Sequence, residues 1–181
     1  PPLVPPPPAA ALEAARRRGV FVNFDMEHHA LKDLTLELFM RCCEAVDFEA
    51  GLAMQAYLRT GDEDAERIIA WSRRTGRRVT VRLVKGAYWD YETIHAEQEG
   101  WPVPVWSRKV DTDACFERMT KRFIDAMPRS TNEGGAKLAL GSHNARSIAY
   151  ALALLEQAGL SPSAIEIQML HGMADQLKVA A

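Results

Sequence analysis

The residues best suited to chemistry lie over 79–90, in the stretch VTVRLVKGAYWD. An apolar, β-branched run over 79–84 carries one charge, Arg82, and opens into Lys85, Gly86, Ala87, Tyr88 and Trp89. A guanidinium inside a buried strand must be paired, and a carboxylate, a phosphate or an electron-rich cofactor is its usual partner. Lys85 adds a second cation. Gly86 lets backbone approach a flat or charged group, and Tyr88 and Trp89 offer aromatic faces with polar handles. Gln55 interrupts another apolar run; a buried amide without partners costs ~1–3 kcal/mol, so either a flat heterocycle or neighbouring strand ends must satisfy it. Asp25 is either the partner of a cation, a base, or the N-cap of the helix that follows. Ser142, His143 and Asn144 read as a loop entering a helix, with Asn144 as cap and the helix N-terminus open to an anion. Glu27, His28 and His29 have the side chains of metal ligands, but adjacent histidines point to different faces and no second cluster completes a site. No metal is expected there.

The elements that must position these residues follow from periodicity. Strands are predicted over 20–25, 51–58, 79–84, 137–141 and 165–170, and helices over 9–18, 31–43, 62–75, 111–127 and 145–157. Residues 91–110, with Gly100, Pro102 and Pro104, are expected to be loop. Residues 1–8 are nearly all proline and are read as a tail, leaving 9–181 as one domain. Strands recur about every thirty residues, or twice that across the excursion, each followed by a helix. That is the rhythm of an α/β protein with a parallel sheet. Asp25, Lys85, Tyr88, His143 and His171 all fall at strand C-terminal ends, the edge where such folds build their sites.

Composition narrows the class further. The chain has 181 residues, 48% of them hydrophobic, and a formal net charge of −2, which offers no electrostatic footprint for nucleic acid. The arginines around Gly76 decorate a helix end and loop. Cys42, Cys43 and Cys115 lack both metal-ligand spacing and the even count of a disulfide framework, so reduced thiols in a cytoplasmic compartment are expected. No apolar run reaches the ~18 residues of a membrane span.

The motifs also carry a family resemblance. FVNFDME (21–27), MQAYL (54–58), RLVKGAYWD (82–90), SRKV (107–110), SHN (142–144) and IQMLHGMAD (167–175) stand in the order seen in the flavin-dependent proline dehydrogenases. The chain most resembles the proline dehydrogenase domain of bifunctional bacterial proline utilisation proteins. The resemblance implies a (βα)8 barrel of the TIM type, with about five of its eight strands present here, and FAD at the strand C-terminal ends. It implies that Arg82 and Lys85 lie beside the flavin ring, that Gln55 bonds the ring edge, and that the backbone of Val84, Lys85, Gly86 and Ala87 approaches it. Tyr88 would close over proline, Trp89 would line the cofactor side, and Asp25 would orient the active-site cations. Arg108, Lys109, Ser142, His143 and Asn144 would run along the ribityl, phosphate and adenosine portion, with Met169 and Leu170 packing the far wall. Where the family commonly has threonine this chain has Ser142, which keeps the hydroxyl.

The implied reaction is oxidation of L-proline to 1-pyrroline-5-carboxylate, with hydride passing to FAD and electrons on to quinone. Implied partners are a fused aldehyde dehydrogenase domain outside this chain and a peripheral contact with the inner face of a bacterial membrane. The family's first strand with its lysine, and the last helix whose paired arginines hold the proline carboxylate, have no counterpart here, so full activity is expected to need them. The rival readings are an inactive fragment and a βα-barrel lyase or isomerase using Lys85 as a Schiff-base amine.

Overall fold

A computed structural model describes residues 7–130, 132–173 and 176. Five strands form one parallel sheet whose spatial order follows the sequence: β1 (Val22–Phe24), β2 (Ala50–Gln55), β3 (Arg78–Val84), β4 (Gly135–Gly141) and β5 (Glu166–Gln168). The helices are α1 (Pro7–Arg18), α2 (His29–Ala45), α3 (Gly61–Thr75), α4 (Trp89–Glu99), α5 (Lys109–Asp125) and α6 (Ala145–Gln157). A parallel sheet wound in one direction places its right-handed crossovers on one face. That is the wall of a βα barrel and not a doubly wound sheet.

The register separates the two faces. Phe24 pairs with Leu52, Leu52 with Val81, and Val81 with Leu138, placing these apolar residues on the helix-covered side. There they join Leu36, Phe39, Ile68, Trp71, Phe116, Met119, Phe123 and Leu155 in one buried cluster. Phe39 links the sheet to the helices, edge-on to Phe24 at 5.3 Å and 5.8 Å from Trp71. One residue along, Arg82 pairs with Ala53 and Ala139, and Ala139 pairs with Glu166. The opposite face is therefore a shallow trough, floored by small residues around one arginine.

The sequence signals explain most boundaries. α3 opens on Asp62, Glu63 and Asp64, closes on Arg73 and Arg74, and ends at Gly76 in the left-handed conformation (φ 72°). α1 begins at Pro7, inside the expected tail, because the first turn of a helix does not need proline's missing N–H. The remainder of that tail, residues 1–6, and the last two residues of the final motif, Ala174 and Asp175, lie outside the described residues. β1, β2 and β5 are shorter than predicted; after Gln55 the chain turns, with Leu58 N–H donating to the Gln55 carbonyl. The expected loop over 91–110 is a larger correction, since α4 occupies its first part. α4 buries only Glu92 and Ala96 on its inner side and so shows no apolar stripe. The glycine and prolines that suggested loop begin only beyond its C-terminus.

Candidate active site

The trough opens at the C-terminal ends of the strands into a cavity of about 700 Å³. Asp25, Gln55, Arg82, Val84, Lys85, Gly86, Ala87, Tyr88, Lys109, Ser142, His143 and Asn144 line it, together with Met26, Glu27, Ala53 and Gly141. β1 to β4 deliver all but one of these at or just beyond their C-terminal ends, β3 the most, and Lys109 comes from the start of α5. Period-two alternation sets Ala53 beside Gln55 and Arg82 beside Val84 on the open face.

Each lysine and arginine in the cleft already has a carboxylate partner. Arg82 bonds Asp25, which also accepts from the Asn23 amide at 2.9 Å. Of the roles open to Asp25 in sequence the structure shows the cation partner and removes the N-cap, because His28 takes that position at α2. Lys85 Nζ lies 2.5 Å from Asp113 Oδ1, and Lys109 Nζ lies 2.7 Å from Asp113 Oδ2, so one carboxylate on α5 holds two ammonium groups. Burial pushes the Asp113 carboxyl up, but the bonds from Lys109 and Lys85 outweigh it and leave the group below its ordinary range. Asp113 is a functional residue that sequence reasoning missed. It sits in an amphipathic helix, and nothing local signals a partner 28 positions away.

Gln55 is 4% exposed, and its amide nitrogen donates to the carbonyls of Met26 and Glu27, both at 3.2 Å. Its Oε1 is buried without a partner among the described residues. An acceptor left this way is costly unless a donor arrives from the cavity. Gly86 holds φ 130°, and a Cβ there would fall 2.4 Å from the Tyr57 ring. Gly141 is equally constrained, since a Cβ would come 2.8 Å from Val84 Cγ1. Both glycines keep the cleft wall flat. Beneath Gly86, burial and then the nearby Glu92 push the Tyr57 phenol up to about 12, so it stays neutral.

At the β4 end, Asn144 Oδ1 caps α6 by accepting from Ser147 N–H at 3.2 Å, as the sequence predicts. Ser142 Oγ accepts from Asn144 N–H, and His143 Nε2 accepts from Leu170 N–H at 3.0 Å. Four predicted residues are not among those that line the cleft. Trp89 lines a neighbouring cavity and donates its indole N–H to the Trp106 carbonyl. Arg108 is exposed and paired with Asp111. Met169 lines a third cavity beyond β5, and Leu170 is 65% exposed. Ala53 and Gly141 were missed although spacing alone places them two positions from cleft residues. Among the described residues no group of three His, Cys, Asp or Glu side chains gathers to hold a metal; His28 instead packs on Tyr88 and Tyr91.

Comparison with known proteins supplies the family. A family profile described as proline dehydrogenase matches residues 9–181. The chain is 32% identical over 170 residues to the bifunctional protein PutA of Klebsiella aerogenes, covering 90% of this chain and 12% of that protein. It is 26% identical over 170 residues to mitochondrial proline dehydrogenase 1 of Caenorhabditis elegans, covering 91% of this chain and 27% of the relative. Its fold superimposes on a crystal structure of PutA from Bdellovibrio bacteriovorus, inactivated by N-propargylglycine, with TM-score 0.88 and 39% identity. That match covers 94% of this chain and 18% of the other.

Proposed function

The chain belongs to the proline dehydrogenase family, and on that premise we propose that it forms the flavin-binding wall of a site that oxidises L-proline to 1-pyrroline-5-carboxylate. FAD, when bound, supplies the acceptor for the hydride that leaves the ring carbon beside the unprotonated amine, and hands the electrons on to quinone. The chain's own residues have three tasks.

The first is to hold the flavin ring. Gln55 presents an unpartnered Oε1 to a ring N–H, and the flat wall of Ala53, Gly86 and Gly141 gives the ring a surface to lie on. The second is electrostatic. Arg82 and Lys85 set positive charge where the ring becomes electron-rich, and Asp25 and Asp113 keep both side chains in place. The third is covering the substrate, which falls to Tyr88 at the cleft edge. Lys109, Ser142, His143 and Asn144 are proposed along the nucleotide portion. Beyond its ion pair with Asp113, nothing in the surroundings of Lys85 favours the lyase reading.

The observation that carries this reading is the orphaned Gln55 acceptor in a cleft with two strand-end cations. The family resemblance, together with the relatives' bifunctional name, extends the proposal to a product that passes to an aldehyde dehydrogenase domain. The test is anaerobic addition of L-proline to the flavin-loaded protein, followed in the visible bands. Bleaching is the expected result. Flavin that stays oxidised contradicts proline as the substrate of this chain.

A further inference from the structure

Another cavity, of about 480 Å³, lies away from the cleft between the start of α2, the length of α4 and the segment 101–104. Its walls are aromatic and apolar. His28 lies 4.3 Å from Tyr91, Tyr91 stacks on His95 at 5.4 Å, and His95 meets Trp101 edge-on at 5.6 Å, while Pro102, Val103 and Pro104 complete the rim. Tyr91 and Trp101 keep 47% and 58% exposure, so both side chains are reachable from solvent.

The cavity also contains a buried acid. Glu92 is 4% exposed, and its Oε1 accepts from His29 N–H at 2.7 Å, at the N-terminus of α2. Its second oxygen takes no hydrogen bond among the described residues, and no lysine or arginine among them comes within 4 Å of the carboxylate. Its nearest basic group is His28 Nδ1, at 3.8 Å, which is itself buried without a hydrogen-bond partner. Arg59 reaches the same cavity, but its Nε is committed to the carbonyls of Val103 and Val105 and its guanidinium lies over the Trp106 ring. The N-terminus of α2 brings about half a positive charge to this carboxylate, and Glu92 lines the cavity.

A carboxylate with spare acceptor capacity, beneath exposed aromatic faces and an apolar rim, is the chemistry that recognises an organic cation. We propose that this cavity binds a small amine bearing an apolar body, with the ammonium on Glu92 and the body against Tyr91 and Trp101. Such a site is separate from the flavin cleft and stands whether or not the cleft binds flavin. His28 touches both, packing 4.9 Å from Tyr88 on its other side.

Benzylammonium is a suitable probe, with benzyl alcohol and benzoate as neutral and anionic controls. Titration of the isotopically labelled 181-residue chain, followed by amide and indole NMR signals, reads affinity and location together. The expected result is saturable binding of benzylammonium, at least tenfold tighter than either control. Shifts should centre on Tyr91, Glu92, His95 and the Trp101 indole. Glu92→Gln keeps an acceptor for His29 N–H and is expected to abolish the preference for the cation; Trp101→Ala, at an exposed position, is expected to weaken binding several-fold. Equal binding of benzyl alcohol, shifts centred elsewhere, or a Glu92→Gln protein that binds as the parent does would each overturn the proposal.

Discussion

At the residue scale, the cleft depends on a few side chains with no substitute. Gln55→Leu removes both the donor that ties down the Met26 and Glu27 carbonyls and the free acceptor. Retention of flavin, measured by titrating the apoprotein with FAD, is expected to fall about 5- to 150-fold, in keeping with ~1–3 kcal/mol for a buried hydrogen-bonding group. Gly86→Ala places a Cβ against the Tyr57 ring at a backbone angle that L-residues avoid, and ~2–4 kcal/mol of stability should be lost in chemical denaturation. Asp113 gives a pH signature. Its folded-state pKa lies below the unfolded value, so the stability it contributes is present above the ordinary carboxylate range and lost as pH falls through the depressed folded value. Acid unfolding of Asp113→Asn should lack that component. These residues were unevenly legible. Arg82, Lys85 and Gln55 announced themselves as polar groups in apolar runs, whereas Asp113 became visible only when α5 was laid against β3.

At the element scale, α2 and α3 are joined by an ion pair that periodicity does not reveal. Lys32 is 4% exposed and Asp64 7%, with Nζ 2.8 and 2.9 Å from the two carboxylate oxygens and Thr60 Oγ1 also donating to Asp64. Burial lowers the Lys32 pKa, but Asp64 and Asp33 more than compensate and leave it raised, so the ammonium is retained to high pH. Lys32→Ala strands a buried carboxylate and should cost ~3–5 kcal/mol by denaturant titration, whereas replacing both partners with apolar residues of similar volume should come close to neutral. The strands and the helices with apolar stripes could be read from sequence because burial imposes a period on them. α4 could not, since its inward face is a glutamate and an alanine and its packing partners lie in the turn before α2 and the segment after Gly100.

At the scale of the whole molecule, the parallel wall is held from the centre outward. β3 pairs on both sides along its length, while among the described residues β1 and β5 pair on one side only and through three residues each. Hydrogen exchange should therefore be slowest in β2, β3 and β4 and faster in β1 and β5; equal protection across all five would show that the outer strands gain partners in solution. The barrel order was legible because each strand is followed by a helix and then a parallel neighbour. Trp89, Arg108, Met169 and Leu170 were assigned by resemblance alone, and they are not among the residues that line the cleft.

The most direct measurement is the visible spectrum of the protein after incubation with FAD and passage through a desalting column. Flavin bands that travel with the protein in near-equimolar amount, and that are lost from Gln55→Leu, are the expected result. A colourless protein with native secondary structure would contradict the assignment of the sheet-end cleft as a flavin site.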